Sequence, residues 1–477
     1  MATRSLGGDL STQWQALEAA TAGEVILPGA AEYASVCTLP VARFDDGFLT
    51  RARTARPEAV VLCKEPADVS AAIAFARRFG LQAVVRSGGH CFTGHSWGSG
   101  IVIDVSPMSS VSVSDGRATV GAGARLGEVY GALEVEGLTV AAGCGATVGI
   151  AGLALGGGVG ILGRLYGLTC DQLLGAEVVL ADGRVVECDG DRDADLFWAL
   201  RGGGGGNFGV VTSFLFRTVP APATTAFHLV WPFPDAAAVF GAWQHWAPDA
   251  PDELAVSVLV TVPDELDRAP LVNVFGAMVG TESDASALLG ELVGRIGTEP
   301  ATVDFEHGSY VDTKRYLGGL GDQFEEIEHD QTQPVSSFSR SEFFAQTLPG
   351  EAVAALVEEL GDARVTGESR ELDCMPFGGA YTRVPADATA FPHRDARFLL
   401  KHTVVVDTDA SVREKDAARR WLARSWESVH PWGSGGVYVN FPEPDLAGAE
   451  QAYHGMNYER LLAVKRRYDP DGFFRFH

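Results

Sequence analysis

The stretch Gln82-Ala83-Val84-Val85-Arg86-Ser87-Gly88-Gly89-His90-Cys91-Phe92-Thr93-Gly94-His95-Ser96 governs how the first third of the chain is read. Its apolar half predicts a short buried strand, and Gly88-Gly89 ends that strand by admitting backbone conformations closed to other residues. Consecutive N–H groups in such a turn converge on one anionic ligand. His90 follows at once and meets whatever the turn holds. Residues 66–80 precede this unit and predict a helix. Pro66 suits the first turn, Val69, Ala72, Ile73 and Ala76 form an apolar stripe, Arg77 and Arg78 complement the C-terminal dipole, and Gly80 stops the helix. Helix, strand and glycine turn together read as a ligand-binding α/β unit. Two other readings compete for His90: an ordinary packed histidine, and a metal site with Cys91 and His95. The second lacks a further acidic or histidine ligand nearby, so no metal is expected.

Outward from this unit, the pattern stays mixed. Residues 101–104 predict a strand. Asp115-Gly116 and Asp182-Gly183 mark two hairpins, 111–113 with 118–120 and 177–180 with 185–188, and 210–216 predict a further strand. Prolines at 220 and 222 mark a boundary. Beyond it, strands are expected at 254–261, 271–278 and 398–406 and helices at 282–296, 341–360 and 411–428. That alternation predicts an antiparallel sheet with helices on one face. A last helix is expected at 457–467.

Length and charge limit the function. A chain of 477 residues exceeds one ordinary core and calls for two or three lobes. Lysine and arginine total 37 against 62 aspartates and glutamates, a formal net charge of −25. Such a surface repels phosphate backbones and anionic lipid, so neither nucleic acid nor a membrane is an expected partner. The seven cysteines, at 37, 63, 91, 144, 170, 188 and 374, are odd in number and contain no C-x-x-C pair, which speaks against a disulfide framework and a thiolate zinc site. Met1 to Ala20 lack an apolar signal core and no run of 18 apolar residues exists, so a cytoplasmic protein is expected.

Two more segments are dense in glycine. Residues 141–160 contain Val148-Gly149-Ile150-Ala151-Gly152-Leu153-Ala154-Leu155-Gly156-Gly157-Gly158-Val159-Gly160, where backbone can pass close to a flat or phosphorylated ligand. Inside it, Gly158 to Gly163 match G-x-G-x-x-G with Asp182 19 residues beyond. A nicotinamide-type site needs a strand directly before the first glycine, and here Gly156-Gly157 precede it. The match reads as chance. The third segment runs Asp195-Leu196-Phe197-Trp198-Ala199-Leu200-Arg201, five glycines at 202–206, then Asn207-Phe208-Gly209-Val210-Val211-Thr212. A flexible linker is one reading of the glycine run. Framed by an apolar helix and an apolar strand, it reads instead as a rigid turn against a ligand.

Taken in order, these three segments, together with Tyr438-Val439-Asn440-Phe441, Asn457-Tyr458-Glu459-Arg460-Leu461 and Tyr468-Asp469-Pro470, resemble the berberine-bridge-enzyme-like branch of the vanillyl-alcohol-oxidase, PCMH-type FAD-binding family. The resemblance spans nearly the whole chain. It implies an α+β fold: a PCMH-type FAD-binding domain of two α/β subdomains over 1–215, an antiparallel-sheet substrate domain with helices on one face over 216–430, and a C-terminal segment, 431–477, returning to the FAD domain. His90 matches the histidine that bonds the flavin covalently. Ser87, Gly88, Gly89, Gly149, Gly152, Gly157, Asn207, Gly209 and Val211 fall in stretches that line FAD, and the same segments add Arg86, His95, Ser96, Val148, Gly158, Gly206, Tyr438 and Asn440. Many members carry a second flavin bond through a cysteine three residues before the Val-Gly pair. That position is Gly145 here, which makes His90 the sole anchor, although a one-residue loop shift would bring Cys144 to the flavin. Val148 is small, as in members that react with O₂.

By the same resemblance the chain is expected to be an FAD-dependent oxidase that removes a hydride from an alcohol or sugar hydroxyl carbon of a secondary metabolite or oligosaccharide. O₂ would be reduced to H₂O₂, with Tyr438, and Tyr381 beside it, handling the proton. Tyr381 is expected on a strand, and packing in the sheet is its equal alternative. An oxidative cyclase or amine oxidase would use the same flavin site. A non-enzymatic FAD or NAD module is the remaining class. Small-molecule substrate and O₂ are the expected partners, in a monomer or homo-oligomer.

Overall fold

The computed structural model describes residues 11–39, 43–54, 56–326, 335–444 and 446–474. The first sheet combines β1 (Glu24–Ile26), β2 (Ala59–Leu62), β3 (Ala83–Arg86) and β4 (Ile101–Asp104) in the order β1-β2-β4-β3. β4 runs parallel to both β2 and β3. Helix α1 (Pro66–Phe79) makes the crossover, with Asp68 at its third position and Gly80 in the left-handed region at φ +66°. β4 is buried along its whole length, as a parallel strand covered on both faces must be.

The second sheet is antiparallel. It contains β5 (Val111–Ser114), β6 (Arg117–Gly121), β7 (Leu173–Val179), β8 (Val185–Asp189) and β9 (Val210–Arg217) in the order β8-β7-β9-β6-β5. Both expected hairpins are present, the first turning through Asp115 and Gly116 at positive φ. Between β6 and β7 lie α2 (Leu126–Glu134), α3 (Ile150–Leu155) and α4 (Gly163–Tyr166), and α5 (Ala194–Leu200) leads into the glycine run. G-x-G-x-x-G therefore lies between two short helices with no strand before it, and Asp182 sits on an exposed turn paired with Arg184 at 2.7 Å. Both observations dispose of the nicotinamide match.

The third sheet takes β10 (Ala223–Pro232), β11 (Leu254–Val262), β12 (Leu271–Val279), β13 (Thr302–Ser309), β14 (Val335–Phe344), β15 (Glu368–Pro376) and β16 (Phe398–Asp407) in the order β13-β10-β12-β11-β15-β16-β14, with Arg43–Phe44 added parallel at the β14 edge. The helices α6 (Ala236–Trp246), α7 (Glu282–Ile296), α9 (Gly350–Gly361) and α11 (Val412–Glu427) bury their apolar stripes on one face. Helix α8 (Tyr310–Glu326) packs on the other, where it meets α2. Two expectations need correction. Residues 341–344, expected in a helix over 341–360, complete β14, and the helix begins only at Gly350. Val335 to Phe344 pair along ten residues with β16, so the ladder decides the local structure. Tyr381 lies on a short helix, α10 (Ala380–Arg383), instead of a strand, because Gly378 and Gly379, both at positive φ, turn the chain away from the sheet after β15.

Two apolar cores result. One draws on the first two sheets, and Tyr438, Leu461, Val464, Tyr468 and Phe474 from the C-terminal region pack into it. The other lies under the helical face of the third sheet. Charged side chains cross between the lobes in both directions. Arg164 of α4, 1% exposed, donates to the carbonyls of Pro248 (3.0 Å), Ala250 (2.5 Å) and Phe377. Lys314 of α8 reaches the opposite way, to Ala142 and Gly143.

Candidate active site

The strand end and the turn after it set the first wall. Arg86 is buried against Asp104 on the neighbouring strand, Nε to Oδ2 at 2.6 Å. Ser87 Oγ donates to the Ala122 carbonyl at 2.7 Å and ties the turn to the second sheet. A Cβ at Gly88 would fall 2.3 Å from Gly149 N, and one at Gly149 2.5 Å from Gly88 N. Only two glycines let these backbones touch. The two glycine-rich segments therefore lie against each other, and His90 seals the junction with a hydrogen bond to the Thr147 backbone. Burial, reinforced by the nearby Arg125, holds the His90 imidazole down to about 4, so near neutral pH it is uncharged and keeps a lone pair.

A cofactor fit is tested by the polar atoms this wall leaves over. Among the described residues, His90 Nε2, Ser96 Oγ and Arg86 Nη1 are buried without a hydrogen-bond partner. Unpaired buried groups cost about 1–3 kcal/mol each. Their grouping along residues 86–96 fits a polar cofactor laid over this wall. His95 is exposed, with its N–H directed to Cys91 Sγ at 3.4 Å.

The second wall is the loop from Ala141 to Gly163. Gly157 and Gly158 adopt φ +113° and +86°, and a Cβ at Gly158 would sit 2.4 Å from Thr169 Oγ1. Tyr438, 3% exposed, places its oxygen where the Gly158 N–H (3.0 Å) and Asn440 Nδ2 (3.0 Å) donate to it. The Asn440 amide is oriented by its second bond, to the Leu153 carbonyl at 3.0 Å. Among the described residues no acceptor takes the Tyr438 hydroxyl proton. Burial pushes Tyr438 up to about 12, and hydrogen bonds from Asn440, Gly158 and the Val159 backbone only partly offset it. Tyr381, 1% exposed, also stands at this loop, bonded to Gly160 in both senses. The third glycine segment forms a fixed turn. Asn207 Nδ2 donates to the Gly203 carbonyl at 2.8 Å, and Lys465 of the C-terminal helix donates to the Asn207 carbonyl at 2.6 Å. Gly206 is at φ +76°, and Val211 is buried on β9 opposite Val178.

The sheet face turned toward these walls carries residues that no motif marked. Strand register sets them in rows: Phe343, Leu399 and Met375; then Ser341, Lys401 and Asp373; then Ser339, Thr403 and Glu371. The first row packs into the core beside Tyr438, with the Phe343 and Tyr438 rings 6.2 Å apart. Lys401 lies over the rings of Phe92 and Phe441. The Asp373 carboxylate makes no hydrogen bond among the described residues, and burial raises it to about 6 against the pull of Lys401. A small cavity of about 30 Å³ lies between this face and the loop after His90, lined by Thr93, Ser339, Lys401 and Thr403 among others. Neither β14 nor β16 alternates with period two in sequence or burial, so no local signal marked this face.

Residues 57–189 match the FAD binding domain model, and residues 437–477 match the model described as berberine and berberine like. The "Uncharacterized FAD-linked oxidoreductase YgaK" of Bacillus subtilis is 33% identical over 429 residues, 88% of this chain and 90% of that one. The chain belongs to the berberine-bridge-enzyme-like family of FAD-linked oxidoreductases. A second relative, the chitooligosaccharide oxidase of Gibberella zeae, is 31% identical over 443 residues, covering 88% of this chain and 86% of the relative. The solved berberine bridge enzyme of Eschscholzia californica superimposes with a TM-score of 0.84 over 97% of both chains at 24% identity, which shows a shared fold. The FAD-binding fold and the oxidoreductase class follow, in a family that acts on small-molecule substrates. Among the described residues, no helix is long and apolar enough to cross a membrane.

Proposed function

We propose that this FAD-linked oxidoreductase is an oxidase, holding FAD covalently through His90 and removing a hydride from the hydroxyl-bearing carbon of an alcohol or sugar unit, with O₂ as electron acceptor. The observation that carries the reading is the opposition of two surfaces: the Tyr438 hydroxyl on the FAD-lobe wall, and the polar rows of the sheet facing it. Bound FAD supplies the hydride acceptor. Arg86, Ser87, Ser96, the 88–89 turn, Asn207 and the 149–158 backbone are the groups proposed to hold it. A neutral His90 with an unengaged nitrogen is in the state needed to form a carbon–nitrogen bond. Hydroxyls at 339, 341 and 403 suit a hydroxyl-rich substrate. Small Val148, only partly buried, supports O₂ access.

Tyr438 is the proposed proton acceptor. Its oxygen already faces two N–H donors, which favour the phenolate, while its own proton is uncommitted. A phenol at about 12 is almost wholly protonated near neutral pH, so only its small phenolate fraction, favoured by those donors, can accept the substrate proton. One observation favours a second candidate: Asp373, unpaired and raised to about 6, titrates where a general base works best. Tyr381, bonded both ways to Gly160, is better suited to holding the loop than to exchanging protons. Cys144 is not needed as a second flavin anchor. The seven unpaired cysteines support a cytoplasmic location.

Anaerobic mixing with mono- and oligosaccharides and simple alcohols, followed by air, tests the reading. Flavin bleaching and then peroxide are expected. A bleached flavin without peroxide on aeration would refute O₂ as acceptor, and a product two hydrogens lighter with a new ring would move the enzyme to oxidative cyclisation.

A further inference from the structure

Lys314 is a buried lysine with no carboxylate partner among the described residues. Its side chain comes from α8 of the substrate lobe, is 5% exposed, and ends against the FAD lobe. Nζ donates to the carbonyls of Ala142 at 2.7 Å and Gly143 at 3.0 Å and lies 3.8 Å from Cys144 Sγ. The rings of Tyr130 and Tyr310 flank it at 5.0 and 4.8 Å. Among the described residues, no carboxylate pairs with it. Burial lowers its pKa, and only the Cys144 thiol opposes that. Removing an ammonium from water without a counter-ion is costly. A neutral amide would latch the lobes as well, so the charge itself calls for an account.

The peptide groups it grips point to one. In a trans peptide the N–H lies opposite the C=O. With the carbonyls of Ala142 and Gly143 turned to the ammonium, the N–H groups of Gly143 and Cys144 are turned away from it. Neither N–H has an acceptor among the described residues, although both belong to a half-buried stretch. The same loop continues through Gly145, whose carbonyl accepts the Val148 N–H at 3.2 Å, to Thr147, the backbone partner of His90. Lys314, two polarised peptides and His90 thus form one continuous arrangement, with the free N–H groups on the side away from the cation.

We propose that Lys314 offsets the negative charge that the isoalloxazine gains on accepting a hydride, acting through the Ala142–Gly143 and Gly143–Cys144 peptides. It is a positioning residue, aligning these dipoles and adding its own charge behind them. The inference rests on the FAD reading above.

Sulfite is the probe. Its sulfur lone pair bonds to the oxidised flavin, and the displaced electron pair leaves the ring system anionic, which bleaches the visible band. In the purified holoenzyme, Lys314→Met and Lys314→Gln are expected to raise the sulfite dissociation constant about tenfold or more and to lower the flavin midpoint potential, while Lys314→Arg recovers most of both. Lys314→Gln keeps N–H donors for the two carbonyls, so it carries the test if the Met variant fails to fold. Folded neutral variants with sulfite affinity within about twofold of the parent and an unchanged midpoint potential would reduce Lys314 to a latch and overturn the proposal. A parent protein lacking flavin colour would overturn the FAD reading itself.

Discussion

Tyr381 and Gly160, 221 residues apart, are joined by two hydrogen bonds: the phenol donates to the Gly160 carbonyl at 2.8 Å and accepts the Gly160 N–H at 3.1 Å. Tyr438 meets the same loop two residues earlier but only as an acceptor. The two tyrosines should therefore respond differently to loss of the hydroxyl. Tyr381→Phe strands the part-buried Gly160 N–H, while the Gly160 carbonyl keeps the Gly163 N–H at 2.8 Å, and should cost about 1–3 kcal/mol of stability, read as a fall in Tm, with kcat reduced less than tenfold. Tyr438→Phe strands the buried Gly158 N–H and should cost a similar amount of stability, but lower kcat about 100-fold or more, with KM little changed. The opposite pattern would exchange their roles.

Gly163 begins α4 directly beneath Tyr381, and a Cβ there would fall 1.7 Å from the phenol oxygen. Gly163→Ala should displace Tyr381 and cost about 1–3 kcal/mol or more, measured by denaturant midpoint. Because Gly163 φ is unexceptional, sterics alone are responsible. Pairing Gly163→Ala with Tyr381→Phe should give less than the sum of the two effects, since both disturb one contact.

Asp373 has a folded-state pKa near 6, above its ordinary value of 3.8. The folded protein therefore binds the proton more tightly than the unfolded chain. Stability from this group is full below about pH 4 and is lost as pH rises through about 6, by roughly 2–3 kcal/mol. Asp373→Asn should remove this slope, visible in Tm measured across pH 4–7. The kinetic profile carries a separate test. If Asp373 accepts the substrate proton, kcat/KM rises through pH 6 and the limb vanishes in Asp373→Asn. A limb that survives the substitution removes Asp373 as the proton acceptor.

His90→Ala should release the flavin. After acid precipitation the parent pellet is expected to stay yellow, while the variant leaves its colour in the supernatant. Retention of flavin in the His90→Ala pellet would point to a second bond at Cys144, and Cys144→Ser in that background should then free it.

Local chemistry made much of this molecule legible. Gly80 closing α1, the two Asp-Gly hairpins, the strand before Ser87 and the glycine turns follow from short-range sterics and periodicity, and all stand in the structure. Within the sheet, short-range rules failed where a neighbour decided: residues 341–344 became strand because β16 lies alongside, and Tyr381 left the sheet because Gly378-Gly379 turned it out. The FAD-binding family and the place of His90 were likewise readable, since a cofactor held by backbone demands glycines in a set order along the chain.

The sequence by itself thus determined the glycine-built wall and the place of His90 on it, because each of its segments is built from contiguous residues. Only the tertiary structure decided what faces that wall. Register across β14, β15 and β16 brings Lys401 opposite Asp373, and packing of α8 on α2 carries Lys314 to a loop 170 residues away. Pairing and packing of that kind depend on the burial of whole faces, and no local spacing encodes them.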